Sequence, residues 1–366
     1  MNKHLSNVLF VISAVLLVLF LVLTTMNSHS FAGISLIVCF ICLAFAFRSY
    51  ELLKGYSYTV VILAAVTLAM YFPQYFITVG DYDLKNLITP LLQIIMFGMG
   101  TSLSLMDFYG VIKMPKGVFI GILCQFTIMP FVGYGIAQAF AFPAEIAAGI
   151  ILIGSCPSGL ASNVMAYLAK ANLALSVTLT AVATLLAPFI TPFYMKFLGG
   201  EFIDVNYLSM MWDITKVVIL PIAAGLLFHH LVHGRFRVLE KIMPLFSMAG
   251  IAFILIIIVA RGRDNLLEVG LLLVAAVFLH NMFGYILGYS AGRLFRMTEQ
   301  DCRTIALEVG MQNGGLASSI AADTLGKPGT IGLAPAIFGS MMNITGSSLA
   351  LWWRSKPIED LPQEES

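Results

Sequence analysis

From Asn7 to Thr25 the chain runs without a charged side chain, and long apolar stretches of this kind recur toward its C-terminal end. A helix rises about 1.5 Å per residue, so 18 or more apolar residues suffice to cross the hydrocarbon core of a bilayer. Composition points the same way. Of 366 residues 59% are hydrophobic and only 11% are charged, against about 25% charged in a soluble domain. So few charges cannot cover a water-facing surface. A transmembrane β-barrel would show weak alternation in segments of about ten residues, whereas these runs are continuous. An all-α multi-pass membrane protein is the expected class. The net charge of +1 gives no electrostatic footprint for nucleic acid.

Hydropathy places spans at 7–25, 31–47, 56–74, 87–106, 116–140, 144–169, 172–196, 212–232, 241–260, 267–292, 299–325 and 330–353. The loops between them are too short for a soluble domain, and residues 356–366 are expected to form a disordered cytoplasmic tail. The first run exceeds a usual signal-peptide core and no A-x-A-like site follows it, so it reads as a retained span. With both termini cytoplasmic in a cell (inner) membrane, fourteen Lys and Arg fall inside and six outside, as the positive-inside rule requires. Arg261 and Arg263 dissent. The five cysteines are expected to be free thiols; Cys39 and Cys42 match C-x-x-C but lie in an apolar helix, where two small core residues are the plainer reading.

Residues 158–162 read Ser-Gly-Leu-Ala-Ser and residues 314–318 read Gly-Gly-Leu-Ala-Ser, an offset of 156 that also sets Gln125 on Asn281. Five spans separate the two segments. An odd number reverses direction through the membrane, so the pattern predicts an inverted repeat. Both segments break helices: Gly154 to Gly159 includes Pro157, and Gly310 to Gly315 includes paired glycines. Freed backbone groups at membrane depth are tolerated only inside protein or beside water, and interrupted spans in matching positions point to a binding site.

Glu308 lies deep in the second broken span, where a carboxylate is costly and usually functional. Gln312 follows one turn on, then Asn313. Ser162 and Asn163 lie in the other broken span, Ser176 and Thr180 share a face of the next, and Gln125 adds an amide from an earlier one. Carboxylate, hydroxyl and amide oxygens suit a hard monovalent cation. No Cys–His cluster offers a transition-metal site, no nucleotide-binding loop suggests ATP-driven transport, and no nucleophile–base pair suggests an enzyme. His280, beside Asn281, reads as a packing or hydrogen-bonding residue. Singly, Ser176 and Thr180 could bond back to their own helix, Gln125 and Asn163 could be interhelical glue, and Glu308 could carry a proton.

At GSCPSGLASNVMAYLAKANLALSVTLTAVATLLAPFITP (154–192), EVGMQNGGLA (308–317), LHNMFGYILG (279–288), CQFTIMP (124–130) and IIMFGMG (94–100) the chain resembles the bile acid:sodium symporter family, including its bacterial members. The resemblance, spanning about residues 50–355, implies a ten-helix core of two inverted five-helix repeats with two crossing broken helices. A panel domain would take about 56–106 and 212–260, and a core domain about 116–196 and 267–353. Residues 1–48 would stand outside as an extra hairpin. The function implied is sodium-coupled symport of a small organic anion, whether bile-acid-like, pantoate-like or keto-acid-like. A proton-coupled carrier and a membrane sensor are the alternatives. Two sodium ions are implied. One would lie among Ser162, Asn163, Ser176, Thr180 and Glu308, the other among Gln125, Glu308, Gln312 and the carbonyls of Val309 and Met311. Leu160, Asn313, Met342 and Asn343 would face the substrate, with Leu160 and Met342 standing where relatives carry more polar residues. The partners implied are sodium, the anion and the lipid bilayer, with a monomer as the working expectation.

Overall fold

The computed structural model describes residues 3–50, 53–232 and 237–358. It is almost wholly helical. The order is α1 (Lys3–Thr25), α2 (His29–Phe47), α3 (Ser57–Tyr71), a two-strand hairpin of β1 (Thr78–Val79) and β2 (Tyr82–Asp83), α4 (Ile88–Ser102), α5 (Leu105–Lys113), α6 (Pro115–Phe140), α7 (Ala144–Ser155), α8 (Leu160–Leu168), α9 (Leu173–Phe197), α10 (Tyr207–Ile214), α11 (Leu220–Val232), α12 (Arg237–Arg261), α13 (Arg263–Leu294), α14 (Glu299–Gly310), α15 (Gly314–Ser319) and α16 (Leu333–Arg354). A π-helical turn, Thr215–Ile219, joins α10 to α11, and a second, Ile320–Thr324, extends α15.

Among the described residues, seven helical stretches are long and apolar enough to cross a membrane, from His4–Thr25 to Arg263–Leu294. The chain is thus an all-α multi-pass membrane protein. Each span expected from hydropathy has a helical stretch at its place. The two spans carrying Pro and paired Gly are the interrupted ones: α7 stops at Ser155 and α8 resumes at Leu160, while α14 stops at Gly310 and α15 resumes at Gly314. Helix α5 was not foreseen. At nine residues it is too short for a span-length window, and it lies against α9, with Gly110 packed on the Thr178 side chain.

Backbone approach organises the packing. Gly284, Gly288 and Gly292 line one face of α13 at four-residue spacing. A Cβ at Gly284 would lie 2.8 Å from the Gly310 Cα, and one at Gly292 would lie 3.0 Å from the Cys302 Cα. Small residues at every fourth position let two membrane helices touch backbone to backbone; here they seat α14 on α13. The α1–α2 hairpin follows the same logic. Ala32, Gly33, Ser35, Cys39, Ala44 and Ala46 are the buried positions of α2. Ser13 Oγ donates to the Cys39 carbonyl at 3.3 Å, and Ser57 Oγ of α3 to the Ala44 carbonyl at 2.7 Å.

The arginines that dissent from the charge rule have structural partners. Arg261 pairs with Asp83 and donates to the Ile77 carbonyl at 3.2 Å, and Arg263 Nε donates to the Met70 carbonyl at 2.8 Å. All five cysteines are free. Of the expected tail, residues 359–366 lie outside the described residues; Pro357 is held by a hydrogen bond from Arg303.

Candidate functional site

The two helix breaks meet. Gly159 N donates to the Met311 carbonyl at 3.3 Å and Asn313 N to the Pro157 carbonyl at 2.8 Å, pairing Ser158 with Gln312 as a single antiparallel bridge. Other freed carbonyls are met by side chains. Thr191 Oγ1 donates to Ser155 O at 2.7 Å, Gln125 Nε2 to Cys156 O at 3.1 Å, Asn281 Nδ2 to Gly310 O at 2.7 Å and Gln312 Nε2 to Val309 O at 2.6 Å. Buried backbone groups need such partners. Gln125 and Asn281, which the sequence offset superposes, each serve a carbonyl freed at a break.

Glu308 projects from α14 into this crossing and is 2% exposed. Its carboxylate accepts from four hydroxyls. Ser162 Oγ (2.6 Å) and Ser176 Oγ (2.5 Å) donate to Oε1, while Ser158 Oγ (2.5 Å) and Thr180 Oγ1 (2.9 Å) donate to Oε2. Ser158 and Ser162 come from the first broken span, Ser176 and Thr180 from one face of α9. Asn163 Oδ1 lies 2.8 Å from Ser176 Oγ and 3.2 Å from Thr180 Oγ1, and Gly159 O lies 2.7 Å from Ser162 Oγ. Each hydroxyl carries one proton. Four protons therefore face nine oxygen–oxygen contacts at hydrogen-bonding distance, two of them between the hydroxyls themselves, from Ser158 and Ser162 to Thr180. The cage is rich in oxygen and short of protons.

Beside it, Gln125 Nε2 donates to Gln312 Oε1 at 2.8 Å as well as to Cys156 O. Two oxygens on one side fix which way the amide points. Gln125 Oε1 is left buried, with no hydrogen-bond partner among the described residues.

The structure thus brings Ser162, Asn163, Ser176, Thr180 and Glu308 into one cluster, and gathers Gln125, Gln312, Val309 and Met311 at the adjoining bridge. The four expected substrate-facing residues differ in exposure. Leu160 is 38% exposed at the start of α8 and Met342 is buried. The amides are engaged locally: Asn313 Oδ1 caps α15 by accepting from Leu316 N at 3.0 Å, and Asn343 Nδ2 donates to Gly339 O at 2.6 Å. A cavity of about 220 Å³ lies elsewhere, between α4, the π-turn after α10 and the end of the second broken span, lined by Thr89, Gln93, Asp213, Lys216, Ser319 and Asp323 among others. His280 is fully buried, with Nε2 3.0 Å from the Met129 carbonyl, the hydrogen-bonding role expected of it. Sequence reasoning missed Ser158 as a partner of Glu308. Its signal was its place between Pro157 and Gly159, where an unwound backbone turns a side chain inward.

The model of the Sodium Bile acid symporter family matches residues 89–269. The chain is 39% identical over 309 residues to the uncharacterized sodium-dependent transporter YocS of Bacillus subtilis (strain 168), covering 84% of this chain and 94% of that one. It is 34% identical over 281 residues to the probable sodium/metabolite cotransporter BASS1, chloroplastic, of Oryza sativa subsp. japonica, covering 75% and 69%. It is also 34% identical over 245 residues to the ileal sodium/bile acid cotransporter of Oryctolagus cuniculus, covering 65% and 69%.

Proposed function

The chain belongs to the Sodium Bile acid symporter family, and from that premise we propose that it couples the downhill entry of sodium to the uptake of a small organic anion, with Glu308 as the shared ligand of two ions. The observation that carries this reading is the proton-poor oxygen cage around Glu308. Hard cations take oxygen ligands from carboxylates, hydroxyls, amides and carbonyls. A cation can take several of these oxygens as ligands at once as they part around it, whereas protonating Glu308 would supply one more proton and leave the cluster short. The geometry therefore favours sodium over proton coupling.

One ion is assigned to Ser162, Asn163, Ser176, Thr180 and Glu308. The second is assigned to Gln125, Gln312, Glu308 and the carbonyls of Val309 and Met311; a buried acceptor such as Gln125 Oε1 carries a desolvation cost until a donor or cation meets it. The first ion would touch both broken helices, and the second would touch the second broken helix at the bridge that joins it to the first. Ion binding then stabilises one arrangement of the crossing, and an anion that prefers the same arrangement is coupled to sodium by the shared free energy. The start of α8 and the α15 end of the second break offer their positive helix ends to a negative group. Leu160, Asn313, Met342 and Asn343 stand near there, and the substrate is a bile-acid-like, pantoate-like or keto-acid-like carboxylate.

Transport follows alternating access in a ten-helix unit of two inverted repeats in the cell (inner) membrane, both termini cytoplasmic. Panel and core divide as the family resemblance implies. Thr89 and Ser319 (3.0 Å) and Tyr56 and Ser348 (2.9 Å) are polar contacts across that division, the kind that must break as one unit rocks against the other.

Equilibrium binding of radioactive sodium to the purified chain tests the assignment. Wild-type protein is expected to bind sodium saturably, and Glu308→Gln, which exchanges the anion for a neutral amide of the same shape, to lose that binding. Full sodium binding by the variant contradicts the assignment.

A further inference from the structure

The charge rule counts Arg303 among the cytoplasmic cations, yet it is 1% exposed, among the most buried large side chains in the chain. Its guanidinium makes four hydrogen bonds. Nε donates to Glu299 Oε1 at 2.8 Å, Nη1 to the carbonyls of Ala169 at 3.2 Å and Trp353 at 3.1 Å, and Nη2 to the Pro357 carbonyl at 3.0 Å. The group also lies over the Trp353 ring, 5.9 Å from its centroid. Glu299 is held in turn by Tyr289 Oη at 2.7 Å and Arg293 Nη1 at 3.3 Å.

The pairing with Ala169 matters for what lies above it. Ala169 closes α8, the helix whose first turns carry Ser162 and Asn163. Arg303 sits five residues before Glu308 on α14, roughly 7.5 Å along the axis. The next residue does the same for α9. Thr304 Oγ1 accepts from Asn172 N at 2.9 Å and lies 3.1 Å from the Asn172 carbonyl, while Asp301 Oδ1 accepts from Asn172 Nδ2 at 2.8 Å. Asn172 caps α9, and Ser176 N bonds back to its carbonyl at 3.0 Å. Consecutive residues of α14 thus fix the two helices that bring hydroxyls to Glu308.

We infer that Arg303 and Thr304 form a positioning floor beneath the sodium cage, setting the spacing of α8 and α9 from α14 and hence the spacing of Ser162, Asn163, Ser176 and Thr180 from Glu308. The inference rests on the sodium reading of that cage. Neither residue touches the ion. Each acts as partners behind metal ligands generally do, by holding the ligands in geometry, and loss of such a partner typically weakens metal affinity about 10- to 100-fold. Lysine cannot replace Arg303, because a single ammonium on a flexible stem cannot span four acceptors arranged for a planar fork.

The test is a titration of the purified full-length chain with sodium chloride against choline chloride at constant ionic strength, reading the melting temperature. A ligand that binds only the folded chain stabilises it by RT ln(1 + [L]/Kd), so fitting the rise in melting temperature with sodium to that law returns the half-saturating sodium concentration. Arg303→Lys and Thr304→Val are each expected to raise it about tenfold or more. Gly33→Ala, in the seam between α2 and α3, serves as a control that strains packing far from the cage and leaves half-saturation unchanged. If Arg303→Lys does not fold, Thr304→Val decides alone. Variants that melt lower but keep the wild-type half-saturating concentration overturn the floor and make it ordinary packing. A wild-type chain indifferent to sodium overturns the sodium reading itself, and this inference with it.

Discussion

At the scale of residues, the site is a problem in hydrogen accounting. A buried carboxylate survives only if its lone pairs are met, and Glu308 has a hydroxyl within 2.9 Å at each of four positions. The same hydroxyls are also claimed by Asn163 Oδ1 and Gly159 O, the crowding of oxygens on which the sodium proposal rests. Gln125 is the discriminating residue for the proposed second ion, because its buried Oε1 has no hydrogen-bond partner among the described residues. Gln125→Leu deletes that oxygen while the carboxylate and its hydroxyls stay in place. The Hill coefficient of sodium-dependent transport, which cannot exceed the number of coupled sites, is expected to fall to about 1, with dependence on sodium retained. A coefficient unchanged from wild type would remove Gln125 from the ion sites.

At the scale of elements, hydropathy located every helical stretch that reached span length, and Pro157 and the Gly314–Gly315 pair marked where two of them open. Those are local signals, carried by adjacent residues. What stayed hidden depends on contacts between distant parts of the chain. The Gly284, Gly288 and Gly292 seam means nothing until α14 lies on it, and α5 is too short to register. Arg303 looks like one more cation at the cytoplasmic end of a span until the carbonyls of Ala169, Trp353 and Pro357 are brought around it. Ser158 reads as one more small residue until the bridge to Gln312 turns it toward Glu308. The seam carries its own prediction. Gly284→Val places side-chain atoms where the Gly310 backbone and the Met129 sulfur already lie, each 2.8 Å from a would-be Cβ. Overpacking of this kind costs about 1–3 kcal/mol, to be read as a lowered melting temperature in detergent. An unchanged melting temperature would show that α13 and α14 can separate freely.

At the scale of the whole molecule, the broken helices sit inside the protein, and the α1–α2 hairpin packs chiefly against α3. YocS matches 309 of the 366 residues. The broken spans bring a carboxylate and four hydroxyls to one crossing, while many large apolar side chains are exposed and suited to lipid. Under the proposed function, this crossing converts a sodium gradient into anion accumulation. Uptake of bile-acid-like, pantoate-like and keto-acid carboxylates into proteoliposomes, under an inward sodium gradient or an inward proton gradient of equal size, tests it most directly. Accumulation driven by sodium and lost in Glu308→Gln is the predicted result; accumulation driven by protons and indifferent to sodium would contradict it.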